Sequence, residues 1–220
     1  MRFGTFLKLF DTFYDMMFVG KSLRDMKVVY YSKEASYFRD RGAPERAVES
    51  YHKALRLDPD NFYVHTRLAH LFAGRSEFQH ALENADHAFQ SKTLEVVRSW
   101  RIYLNFVRLV IFQMLEKCDE ARTVFDRLLL SLGGDIALVY NRLAGFYFDF
   151  GIYHKAVYYY KEAIAFRPEE PEFHDNLASA YLADGKPEEA RESLLAARQF
   201  ARSIWQRRKI DRRIRKINGG

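Results

Sequence analysis

The chain reads as an all-α protein, a right-handed solenoid of helix-turn-helix units, and three observations predict it. Small residues recur at Ala47, Ala81, Ala121, Ala156 and Ala190, with separations of 34, 40, 35 and 34 residues. Such a period is the mark of a repeated two-helix unit. Around each of these alanines a second register repeats: Ala35, Ala69, Leu109, Ala144 and Ala178 lie twelve residues before, and Phe38, Phe72, Phe112, Tyr147 and Tyr181 lie nine before. Finally, only five Pro and eleven Gly occur in 220 residues, with 48% hydrophobic and 16% aromatic side chains, which favours helix over sheet and supplies a real core.

Taken from the N-terminus, the segment 1–27 comes first. Phe3, Phe6, Leu7, Phe10 and Phe13 recur at three and four residues and give one apolar helical face. Lys8, Asp11 and Asp15 break its apolar runs, so the segment is too short for a membrane span or a signal-peptide core. A face of this kind must be buried against something, within its own molecule or on another.

Five units follow, near 28–61, 62–95, 102–135, 137–170 and 171–204. After each marker alanine an aromatic or apolar residue stands at plus four (Tyr51, Ala85, Phe125, Tyr160, Leu194) and a small or apolar one at plus seven (Ala54, Ala88, Leu128, Ala163, Ala197). Two helices approach closely only where side chains are small, so the alanines set the distance and aromatics fill the space beside them. Between the two helices "RDRGAP", "FAGRSE", "FDFGIY" and "LADGKP" each place Gly near the end of the first helix. Pro59 and Pro168 then stop the second. The third unit departs most, with Leu109 and Leu128 at alanine positions, and six extra residues fall within 89–101, as a longer helix, a loop or a hinge. The expected domains are therefore 1–27, two units over 28–95, three over 96–204, and a basic capping helix over 205–220.

These registered copies resemble the tetratricopeptide repeat family. The resemblance implies a binding surface lined by the first helix of each unit. Counted from the unit starts, its positions include Arg39; Tyr63, Arg67 and His70; Tyr103 and Phe106; Asn141, Arg142 and Phe148; and Glu172, Asp175, Asn176 and Ser179. Arg67 and Arg142 beside the aromatics could hold an extended or helical peptide by stacking and charge. Alternatively, some of these aromatics simply pack between units. The lysine and asparagine set by which chaperone-binding members grip an acidic C-terminus is missing, since Ser32 and Ser36 stand where it would begin.

Nothing in the residues argues for catalysis. Seven histidines occur, none paired at i, i+4, and no phosphate-binding glycine loop is present. Cys118 cannot form an internal disulfide, and its place at the start of a repeat helix suggests packing. The expectation is a non-enzymatic cytoplasmic protein with no cofactor and no metal.

Charge is concentrated at the end. From Arg198 to Lys216 nine basic residues, among them Arg207, Arg208, Lys209, Arg212, Arg213, Arg215 and Lys216, face Asp211 alone, a net of +8 in a chain of +6. Ile210, Ile214 and Ile217 stripe this segment, which reads as a helix continuing from the fifth unit. It could cap the stack, or dock on an acidic protein, an anionic membrane or nucleic acid. The lead "RDMKVVYYSKEASYFRDRGAPERAVESY" and the closing "FRPEEPEFH" of the fourth unit are similar to the MamA family of magnetosome-associated tetratricopeptide proteins. That likeness implies a protein-binding, self-associating homo-oligomeric scaffold on the cytosolic side of magnetosome vesicles, in which residues 3–18 insert into the next molecule. The alternative is a monomeric adaptor tethered through its basic tail.

Overall fold

A single hydrogen-bonding device closes every hairpin. In the computed structural model, which describes residues 22–91 and 98–218, the backbone N–H of Ala43, Glu77, Lys117, Ile152 and Lys186 donates to the carbonyl of Phe38, Phe72, Phe112, Tyr147 and Tyr181, at 2.8–2.9 Å. Each acceptor is the aromatic marker of its unit. This six-to-one bond ends a helix through one residue of left-handed backbone. That residue stands at the same register in all five turns: Gly42, Ser76, Glu116, Gly151 and Gly185, with φ between 57° and 75°.

The described residues form eleven α-helices and no strand: α1 Leu23–Asp40, α2 Pro44–Leu57, α3 Phe62–Gly74, α4 Phe78–Gln90, α5 Arg98–Met114, α6 Cys118–Ser131, α7 Ile136–Asp149, α8 Tyr153–Phe166, α9 Pro171–Ala183, α10 Pro187–Gln199 and α11 Ile204–Asn218. Pro44 and Pro187 occupy the first turn of their helices, where a missing N–H is no loss. Side-chain caps start four of the helices, α11 through Ser203 and three others. The Ser22 side chain and that of Asp25 form a capping box on α1, Asn61 accepts from the Val64 N–H at 3.1 Å, and Asp135 from Leu138 at 3.0 Å.

Contacts group the chain into two units, Met1–Val124 and Phe125–Gly220, with the boundary inside α6. In the first, α1 packs on α2 and α3 on α4, while α3 meets α2, and α5 meets both α4 and α3. In the second, α7 packs on α8 and α9 on α10, with α9 also against α8 and α11 against α10. The first, second, fourth and fifth hairpins are thus each closed internally and stacked on a neighbour within their unit, which is how a repeat array buries its core.

The cores follow the register of the small residues. Ala35, Ala47, Ala54, Ala69, Ala81, Ala85 and Ala88 are fully buried in the first unit, and Ala144, Ala156, Ala163, Ala178, Ala190 and Ala197 in the second. Ala137 and Ala163 meet Phe173, with Tyr140 and Ile164 packed on the cluster, so α7, α8 and α9 converge on two methyl groups and one ring. Tyr147 and Tyr159 stack beside it with centroids 5.4 Å apart and planes within 10°. In the irregular third repeat Leu109 and Leu128 are buried as completely as the alanines they replace.

Four sequence expectations change. In "FAGRSE" the left-handed residue is Ser76, while Gly74 is the last residue of α3, because the turn bond requires the position four after Phe72 rather than two. The first helix of the third repeat starts at Arg98, four residues before 102. Cys118 opens α6 as expected but is exposed rather than packed. The basic tail does not continue α10, since helix stops at Gln199 and resumes only at Ile204. The apolar face at Phe3, Phe6, Leu7, Phe10 and Phe13 lies outside the described residues, as do residues 92–97 within the 89–101 segment.

A non-glycine residue in left-handed backbone costs roughly 1–2 kcal/mol, part of which glycine returns to the unfolded chain as entropy. Ser76→Gly is therefore expected to raise stability by ~0.5–1 kcal/mol, and Gly185→Ala to lower it by ~1 kcal/mol. Thermal unfolding followed by circular dichroism checks both signs.

Candidate functional site

Residues from the first helices of successive repeats come together within each unit. In the first, Arg67 on α3 is buried along the ring of Tyr63, its guanidinium carbon 5.3 Å from the ring centroid and its Nε donating to the Tyr63 hydroxyl at 3.3 Å. These residues are one helical turn apart, so the i, i+4 spacing brings them into contact. One turn further, His70 Nδ1 lies 2.8 Å from the Tyr103 hydroxyl of α5, and the two rings stack at 6.1 Å. Trp100 joins them edge-on, 5.5 Å from Tyr63, 5.7 Å from Tyr103 and 5.8 Å from Phe62.

The electrostatics of this cluster are cationic. Burial first, then Arg67 and Arg39, push the His70 imidazolium down to about 3. The ring is thus neutral at physiological pH, and the Nδ1–Tyr103 contact is a hydrogen bond between neutral groups. Arg39 is half-buried on α1 and paired with Asp40 at 2.9 Å. Tyr63, Tyr103 and Phe106 are buried, with Phe106 wholly so. These rings form the floor of the first-helix face rather than its open surface.

In the second unit the same face is polar. Asn176 on α9 donates to the Asn141 side chain on α7 at 3.1 Å. Arg142 is half-buried, where desolvation disfavours its charge and Asp135 partly offsets that effect. Phe148 is half-buried too, but leans on Tyr153 of α8 at 5.5 Å. Asp175 and Ser179, one turn apart on α9, receive Arg213 from α11. Its guanidinium bonds the Asp175 carboxylate, the Asp175 carbonyl at 3.2 Å and the Ser179 hydroxyl at 2.9 Å. Lys209 reaches the same carboxylate at 3.5 Å. Arg207, Arg208, Arg212, Arg215 and Lys216 remain exposed on the other side of α11.

Two histidines screened as metal ligands do structural work instead. His65 Nε2 lies 2.8 Å from the Pro59 carbonyl oxygen, and His174 Nε2 lies 2.7 Å from that of Pro168. In each case a first-helix ring satisfies the carbonyl that the preceding proline turn leaves open. Among the described residues no group of three His, Cys, Asp or Glu is placed to hold a metal ion, and no helix is long and apolar enough to cross a membrane. Trp100 is the contributor that sequence reading passed over. Its signal was its i, i+3 spacing to Tyr103, hidden by setting the repeat start at 102.

Helical hairpins stacked with their first helices side by side define a repeat protein of the kind that binds other proteins. Residues 36–74 match the family model described as TPR repeat, and residues 147–203 match Tetratricopeptide repeat. Over these residues the chain carries tetratricopeptide repeats. Its fold is similar to that of MamA from Desulfovibrio magneticus RS-1, with 17% identity, 81% of this chain and 97% of that one covered, and a TM-score of 0.50. It is similar also to PilF of Pseudomonas aeruginosa, with 18% identity, coverage of 90% and 87%, and a TM-score of 0.50. A tetratricopeptide repeat protein from Parabacteroides merdae ATCC 43184 matches over all of this chain and 80% of its own, at 16% identity and a TM-score of 0.53. At such identities the likeness establishes the fold. No curated protein sequence gives a significant match.

The neutral His70 has a measurable consequence. Its folded pKa is depressed, so the unfolded chain binds the extra proton between about 3 and its ordinary 6.5. Stability is then full above about 6.5 and declines as pH falls through that window. Replacing His70 by Gln is expected to flatten this part of the pH–stability profile, as read by urea unfolding at a series of pH values.

Proposed function

We propose that this protein is a non-enzymatic scaffold that binds proteins through its repeat faces and joins copies of itself through its N-terminal end. The observation that supports self-association is a stripe of exposed apolar residues on α1. Leu23, Met26, Tyr30 and Tyr37 are 68%, 60%, 61% and 51% exposed. Their spacing of three, four and seven places them on one helical face. In a stack of hairpins an inner first helix is covered by its neighbours, whereas α1 belongs to the first repeat of the series.

The complementary surface is the apolar face of Phe3, Phe6, Leu7, Phe10 and Phe13. Docked on the α1 stripe of a second copy, it forms a heterologous contact, which propagates unless the rotation closes a ring. Each apolar side chain transferred from water contributes roughly 1.5–3 kcal/mol. Several of them together outweigh an association cost of roughly 4–15 kcal/mol only when most dock at once. The resulting assembly is weak singly and concentration-dependent. A coat on vesicles, as the likeness of the lead into the first repeat to the MamA family implies, is one use for such an assembly.

Phe6→Asp with Phe10→Asp is expected to convert a concentration-dependent oligomer into a monomer, and Tyr30→Asp to do the same from the opposite side. Sedimentation velocity over a hundred-fold concentration range reads the outcome, with helicity as the control for folding. Sedimentation unchanged by either variant overturns the proposed contact.

A further inference from the structure

The helix α11 is two-sided in a way that capping the stack does not use up. Its inner side carries Ile210, which is buried, with Gln206, Arg213, Ile214 and Ile217 half-buried. Three acids, Asp211, Asp175 and Glu170, are engaged by cations of this region. Asp211, the one acid within α11, pairs with Arg198 at 2.6 Å. Asp175 is held by Arg213 and Lys209, and Glu170 by Arg202 at 3.2 Å. Positive charge on the outer side therefore has no carboxylate of α11 to balance it.

The outer side combines two kinds of group. Ile204, Arg208, Arg212 and Arg215 follow one another at spacings of four, four and three, and Trp205 and Lys216 flank that row. Arg212 and Arg215 lie along their own helix, each with Nε 3.4 Å from the carbonyl oxygen four residues back. At the helix start Ile204 is 71% and Trp205 76% exposed, while Trp100, the other tryptophan, is buried. The start is rigid: Ser203 Oγ accepts from the Gln206 N–H at 3.1 Å, and the Gln206 side chain accepts from the Arg202 N–H at 3.0 Å. This double bond pattern holds the two large apolar side chains in solvent next to the cations.

We infer that the outer face of α11 is a docking surface for an anionic lipid bilayer. A phosphate backbone of nucleic acid would reward the arginines but offers nothing to an exposed isoleucine, and an acidic protein surface offers little to either apolar group. A bilayer surface supplies both complements: negative headgroups for the basic row, and an interfacial layer that takes an indole ring and a branched aliphatic chain. The inner face stays on α10 throughout, so docking requires no unfolding. Each basic side chain brought near such a surface strengthens partition about five-fold. The contact is peripheral and salt-sensitive. It is independent of the α1 stripe and of self-association.

The full chain is mixed with vesicles of phosphatidylcholine alone or of equal parts phosphatidylserine and phosphatidylcholine, and co-sedimentation and tryptophan emission are recorded. Binding to the anionic vesicles alone is expected, weakening with salt, with a blue shift in emission that Trp205→Phe abolishes. Arg208→Gln, Arg212→Gln and Arg215→Gln together are expected to weaken partition on the order of a hundred-fold, and Trp205→Ala several-fold, both with unchanged thermal unfolding. Vesicle binding that survives the triple substitution overturns the inference, because it would place the lipid contact elsewhere in the chain. So does tighter binding to random-sequence duplex DNA than to the vesicles, or displacement from vesicles by polyglutamate with no dependence on Trp205.

Discussion

Close approach of helices at buried alanines is the constraint on which everything else in this molecule rests. A methyl group at Ala47, Ala81, Ala156 or Ala190 leaves room for the facing backbone, and the space to either side is then filled by large rings and branched chains. Convergence of α7, α8 and α9 on Ala137, Ala163 and Phe173 shows the arrangement at its smallest scale. Once the hairpins close at that distance, first helices of successive repeats stand near enough for side chains to meet across them. The Asn141–Asn176 bond and the His70–Tyr103 bond are consequences of it. Functional surface in such an array is a by-product of packing distance.

The turn device explains why the repeats tolerate so much sequence change. The five six-to-one hydrogen bonds run between backbone atoms, so the sequence of the turn is free apart from one left-handed residue. Glycine takes that role in three turns, and Ser76 and Glu116 in the other two. Reading the sequence located four of the turns by their glycines, but the left-handed residue of the second is Ser76 rather than Gly74, and the third, held by Glu116, has no glycine to mark it. The register of Phe38, Phe72, Phe112, Tyr147 and Tyr181, which supplies the carbonyl acceptors, was visible all along and marks all five turns without exception.

The fold was more legible than the site. Periodicity reports which residues face inward, and alanine spacing survived even where Leu109 and Leu128 interrupted it. It does not report how deeply a first-helix aromatic sits. Tyr63, Tyr103 and Phe106 satisfy the groove positions of the family yet are buried, while Trp100 shares their cluster from outside the assumed repeat boundary. The tail shows the same limit in charge. A count of +8 treats all its cations alike, whereas Arg213 is spent on Asp175 and Ser179 and the row from Arg208 to Arg215 is not engaged with acids of its own helix. Only the side-chain geometry separates the structural cation from those facing solvent.

The dependence on close approach is tested most directly by a volume series at one crossing. Ala156, fully buried on α8, would be replaced by Gly, Ser, Val and Leu, and equilibrium unfolding in urea measured for each. The account predicts that Val and Leu lose stability in order of volume, by roughly 1–3 kcal/mol for overpacking. Ser, close to Ala in size, should lose least. Leucine equal to or more stable than alanine would contradict it, since the helices would then have no need of a small residue where they cross.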